Sequence, residues 1–196
     1  YNGAEHCATA LAIESVSNGV ITFITKLGQN IYTGTVSTSA TSATIPVKKI
    51  CTIDKTRAYI REEYLDLSNW VNQGYGYYKG NLFVPLSGPD DQLQRSVILV
   101  YDIEDAIKNG NGGTIYPSEE LSFRVTSGAY SALFEIESCD ICPSDGRLYF
   151  NTNRRVTDSD TNHDGLSYIT NWIYEPQKRT SEVKDYRWEV QDGKLM

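Results

Sequence analysis

The chain has 196 residues, a net charge of −7, 40% hydrophobic and 22% charged residues, the profile of an ordinary globular protein with enough chain to bury a core. Phosphate contacts need clustered Lys and Arg, so this acidic balance speaks against nucleic acid as a partner. The basic pairs Lys48-Lys49, Arg154-Arg155 and Lys178-Arg179 read as solvated surface. No apolar run approaches the roughly 20 residues of a membrane-spanning helix, so no membrane insertion is expected.

The 14 Tyr, 5 Phe and 3 Trp, set among many Thr, Val and Ile, favour strands. Residues 5–13 read as a small buried strand, and Asn18-Gly19 as a turn into a second strand over 20–24. Residues 30–44 are rich in Ser and Thr and poor in charge, which reads as a long loop or an extended edge. Strands follow over 45–53 and 59–67. A second unit opens near Trp70, with strands at 71–78, 82–86, 96–101 and 121–125 and one helical turn at 105–109. A third takes 134–142, a turn at Pro143 to Gly146, then 148–150, 166–174 and 186–190. Phe134 and Ile136 alternate there with Glu135 and Glu137, as a half-buried strand requires.

Setting Gly19, Gly80 and Gly146 in register gives successive offsets of 61 and 66 residues. After each glycine the order of signals repeats, which predicts an all-β chain of three four-stranded blades over residues 5–68, 70–128 and 131–193. Four-stranded sheets round a central channel are the blades of a β-propeller. Propellers close with about four to eight blades. Three therefore predict a ring left incomplete by this chain, to be completed by a partner chain or a further segment. The chain opens at Tyr1 with neither an initiator Met nor a signal-peptide pattern, which fits a processed or truncated product and is compatible with export.

Three stretches carry a resemblance to a known family. They are Gln73-Gly74 before Tyr77 and the strand Leu82-Phe83-Val84, the run from Val97 to Ile103, and Phe134-Glu135-Ile136-Glu137 leading to Gly146-Arg147-Leu148-Tyr149-Phe150. Across residues 70–174 the chain resembles the helveticin J-like group, propeller proteins among large secreted bacteriocins with relatives in bacterial surface and phage proteins. The resemblance implies a secreted or cell-surface bacterial β-propeller that recognises wall or surface glycans or a surface protein. It carries over no catalytic motif.

The sharpest local motif is Asp158-Ser159-Asp160-Thr161-Asn162-His163-Asp164-Gly165. Its Asp-x-Asn-x-Asp-Gly core matches the first half of a calcium loop, in which alternating oxygen ligands converge on a hard cation. Asp158, Asp160, Asn162 and Asp164 are the candidate ligands for calcium, although Asn171 stands where a bidentate Glu belongs. The bland reading is a polar loop held by Asx turns. Cys139-x-x-Cys142 reads as free thiols, a disulfide or part of a metal site; its acidic neighbours disfavour a redox thiolate.

Nucleophilic chemistry has little material. His6 lies on a candidate innermost strand, where a satisfied buried imidazole is the usual case. Glu135 and Glu137, two residues apart on a strand, are the right types for a glycosidase pair, which leaves a glycoside hydrolase or lyase as the enzymatic alternative. A structural subunit of a phage or surface assembly is a third reading. For sugar binding, aromatic rings stack on sugar faces and amides bond hydroxyls, which nominates Trp70, Gln73, Tyr75, Tyr77, Asn151, Asn153 and Arg154 at blade starts and hairpin ends.

Overall fold

The computed structural model describes residues 10–41, 44–60, 62–89, 95–127, 129–173, 188–191 and 194–195. The described residues are all-β apart from one short helix. Strands β1 (Ala12–Ser17), β2 (Val20–Leu27), β3 (Asn30–Ser37) and β4 (Lys48–Ile53) form an antiparallel meander. Asn18 and Gly19 turn β1 into β2 with φ of 50° and 75°, the left-handed pair of a tight hairpin. Where a loop or an extended edge is expected over 30–44, the first part forms strand β3, paired on both sides by β2 and β4. Its β-branched residues suit a pleated surface, and Ile31 and Tyr32 are buried. The strand expected over 59–67 is instead the separate hairpin β5 (Ala58–Ile60) and β6 (Glu63–Leu65), which tucks Ala58 and Ile60 into the core.

The second sheet holds β7 (Val71–Asn72), β8 (Gly76–Tyr78), β9 (Asn81–Ser87) and β10 (Arg95–Asp102). Helix α1 (Glu104–Asn109) follows where a helical turn is expected. Gly110 closes it in the left-handed region, with Glu104 and Asp105 at its start and Lys108 near its end, the order the helix dipole favours. Strands β11 (Thr114–Ile115) and β12 (Phe123–Ser127) come next. The third sheet is β13 (Leu133–Ile141), β14 (Arg147–Arg155) and β15 (His163–Ile173). The polar loop is shorter than expected, residues 156–162, because β14 runs through Arg155 and β15 begins at His163.

Strands β16 (Trp188–Gln191) and β17 (Lys194–Leu195) join the second sheet. The fourth strand expected for the third unit over 186–190 therefore falls, in its described part, on a different sheet. β16 pairs in parallel with β12, and β11 pairs in parallel with β4. Both seams are thus made alike: a short strand from later in the chain extends the outer edge of an earlier sheet.

Two cores hold the three sheets face to face. Ala12, Ile24, Ile31 and Ile53 of the first sheet pack with Leu82, Val84, Leu86, Val97, Leu99 and Tyr101 of the second. Phe83, Ile98, Val100, Phe123 and Val125 turn the other way, onto Phe134, Ile136, Ile141, Leu148 and Phe150 of the third. The second sheet is covered on both faces, so every residue of β9 is buried and its sequence reads as a continuous apolar run. Each such Leu, Val or Phe contributes about 1.5–3 kcal/mol. The sheets do not close into a ring.

The first strand of each unit carries one surplus residue. In β1 it is Glu14, between Ile13 and Ser15; in β13 it is Glu137, between Ile136 and Ser138. Both bulges fall in the same tripeptide, Ile-Glu-Ser. In the second unit Asn72 faces Leu86 and Gly76 faces Phe83, so four steps on one strand again oppose three on the other. Bulges bend a strand and re-aim its side chains.

Candidate functional site

Strands β1, β8 and β13, one from each unit, come together, and a cleft of about 430 Å³ lies where they meet. Tyr77 and Tyr78 line it from β8, Tyr77 packing toward the first core and Tyr78 toward the second, and Ile13, Ile141 and Pro143 add apolar surface. Glu14 and Asp140 supply carboxylates and Lys79 an ammonium. The Lys79 ammonium sits 5.0 Å from the centroid of the Tyr78 ring, within cation–π reach. The Tyr77 hydroxyl accepts the Gly80 N–H at 3.0 Å, which fixes the ring against the β8–β9 turn.

Glycine makes this convergence possible. A Cβ on Gly74 would lie 2.7 Å from the Glu137 carbonyl oxygen, and one on Gly76 2.9 Å from Asp140 Cα, so β8 lies directly against the backbone of β13. The Asp140 carboxylate spans this seam. It accepts the Ile141 N–H at 2.8 Å and the Tyr77 N–H from β8. Crowding by the neighbouring strand raises the Asp140 carboxyl above the usual range, against the lowering effect of the two N–H donors. The side chain as a whole keeps an open side, so its desolvation is partial. Glu14, the bulge residue, accepts the Ser15 hydroxyl at 2.7 Å.

A second polar group lies toward the other end of β13. Glu135 accepts Gln73 Nε2 at 2.8 Å and Asn153 Nδ2 at 3.4 Å, and the Ser138 hydroxyl bonds Asn151. Burial, then the charges of Glu135 and Asp164, raise the Glu137 carboxyl. Gln73, Glu135 and Asn153, all sequence-nominated, are therefore brought together, with Glu137 and Asp164 within electrostatic reach of one another. Asn151, Asn153 and Arg154 sit within β14 and not at a hairpin end. The Arg154 guanidinium lies 4.8 Å from the Tyr130 ring centroid and covers Gly165.

Other nominated residues have structural roles. Tyr75 is buried; its hydroxyl donates to the Ala10 carbonyl at 2.5 Å and accepts the Lys26 N–H at 2.8 Å. Trp70 packs on the first core, and its carbonyl accepts Lys55 Nζ at 2.7 Å. Of the seven residues nominated for sugar, Tyr77 alone lines the cleft. His6 lies outside the described residues. In the acidic loop the Asp160 carboxylate accepts the Val156 N–H at 3.4 Å, and the Asp158 carbonyl accepts Arg155 Nη1 at 3.4 Å. Asp164 belongs to β15, opposite Asn153. Among the described residues no three His, Cys, Asp or Glu side chains gather as metal ligands. Cys51, Cys139 and Cys142 are free thiols.

Sequence reasoning missed Glu14, Tyr78, Lys79 and Asp140. The repeated Ile-Glu-Ser was the available signal for Glu14. Comparison of the chain with family models, with curated proteins and with solved structures yields no match.

Proposed function

We propose that the chain is an exported β-propeller segment that binds a cell-surface glycan, without catalysis, in the cleft between β1, β8 and β13. The observation that carries this reading is the cleft's position where β1, β8 and β13, one strand from each unit, meet. Tyrosine rings and apolar side chains offer a surface for the C–H face of a sugar, and carboxylates accept its hydroxyls. Concave sites with an apolar wall and a few convergent polar groups are the usual ligand sites. On this reading further units, from another segment or another chain, complete the ring, and the resemblance to secreted bacteriocin-type propellers points to a bacterial wall or surface glycan. Binding on a glycan array should be seen for the chain and lost in Tyr78→Ala. Retention of the full binding pattern by that variant rules out the cleft as the site.

One observation favours an enzymatic alternative, a glycoside hydrolase or lyase. Burial, then the charges of Glu135 and Asp164, raise the Glu137 carboxyl, and carboxyls set apart by their environments are the acid–base pattern of glycosidases. On this alternative Glu137→Gln abolishes release of reducing ends from a polysaccharide and leaves the melting temperature within a degree or two. Equal turnover by the variant excludes that role.

A further inference from the structure

The cleft's charges go further than the class of ligand, and the step taken here rests on the glycan-binding reading. Its two carboxylates have no cationic partner among the described residues. The ion pairs found there join Lys108 to Glu104, Arg124 to Glu63 and Arg147 to Asp145. Asp140 is held by backbone N–H donors alone, and Glu14 by the neighbouring Ser15 hydroxyl. The one ammonium of the cleft, on Lys79, lies over the Tyr78 ring. A partly desolvated carboxylate without a cation is stabilised by a ligand that brings one. Tyr78 already accommodates a positive charge at its face, as the ring quadrupole favours.

From this arrangement we infer that the cleft selects saccharides carrying a free amino group, the ammonium bonded to Asp140 and Glu14 and the sugar ring lying against Tyr78. Asp140 is the better placed of the two acceptors, because its two N–H bonds fix the carboxylate before a ligand arrives. Glu14 is aimed by its bulge. Anionic sugars are disfavoured, since two carboxylates face them and the single ammonium is already engaged with a ring. An N-acetylated sugar keeps the stacking and loses the charge-assisted bond.

Calorimetric titration of the chain with the tetramers of glucosamine, N-acetylglucosamine and galacturonic acid tests this. Glucosamine tetramer should bind at least about tenfold more tightly than its N-acetylated form, since a hydrogen bond to a charged group is worth about 1.5–3 kcal/mol. The galacturonate should bind least. Asp140→Asn keeps the Oδ1 acceptor of the Ile141 N–H, its folding is checked by its thermal transition, and it should erase the preference for the amine, so that the glucosamine and N-acetylglucosamine tetramers bind alike. Tyr78→Ala should weaken both; Tyr64→Ala, an exposed ring on the separate β5–β6 hairpin, should weaken neither. Galacturonate bound as tightly as glucosamine, or a glucosamine preference untouched by Asp140→Asn, overturns the inference. Tyr78-dependent binding of N-acetylglucosamine with no gain for the amine also overturns it, and leaves the glycan-binding reading standing. Binding of none of the three overturns it as well, and the array then decides the broader reading alone.

Discussion

Gly76 shows how little room the site's backbone leaves. It is buried between β8 and β13, and a methyl group there meets the Cys139 carbonyl and Asp140 Cα, both main chain and unable to swing away. Gly76→Ala should therefore destabilise the fold by about 1–3 kcal/mol or more, read as a lower midpoint in urea. An unchanged midpoint shows that the strands sit further apart than described. The thiols give a second residue-scale prediction. Burial raises the Cys51 thiol to about 11 and the Cys139 thiol higher still, so neither carries appreciable thiolate near neutrality. Cys142, half-exposed and in contact with Ser144 Oγ at 3.0 Å, should be alkylated by iodoacetamide in the native protein while Cys51 and Cys139 are spared. Labelling of Cys139 at a comparable rate contradicts its burial in the second core.

At the scale of elements, Tyr75 joins pieces of the first two units. Its hydroxyl serves the carbonyl before β1 and the amide of Lys26 in β2, so it fixes how the segment leading into β8 meets the first sheet. Tyr75→Phe leaves those groups short of a partner and should cost about 1–3 kcal/mol. No loss of stability in thermal unfolding says that water replaces the hydroxyl. The elements easiest to read in the sequence were those dictated by burial. Residues 82–86 and 96–101 are apolar runs because β9 and β10 are covered on both faces, and Phe134 and Ile136 alternate with glutamates because β13 is covered on one. Strand β3 was obscured because Thr33, Thr35 and Ser37 belong equally to loops, and only pairing with β2 and β4 makes them a strand. The partner of β16 was illegible for another reason: a parallel edge contact between distant segments has no local pattern. The candidate site was legible in part. Tyr77 and the glutamates were visible as residue types, but Asp140 and Glu14 depend on a close strand approach and a bulge.

Among the described residues the three larger sheets stack in chain order with repeated seams, and the two ends of the stack differ. The outward face of the first sheet leaves Leu11, Ile13 and Val16 exposed at 54%, 53% and 60%, whereas β13 and β14 turn Glu135, Asn151 and Asn153 to their open side. Ile13 belongs to both that apolar face and the cleft, so a unit added to the first sheet would border the cleft. On the proposed reading the meeting of β1, β8 and β13 binds sugar. Its most direct test is glycan binding by the native chain beside Tyr78→Ala and Asp140→Asn, with folding verified by matching thermal transitions. The native chain should bind, Tyr78→Ala should lose binding and Asp140→Asn should alter which sugars are held. Undiminished and unaltered binding by both folded variants contradicts it.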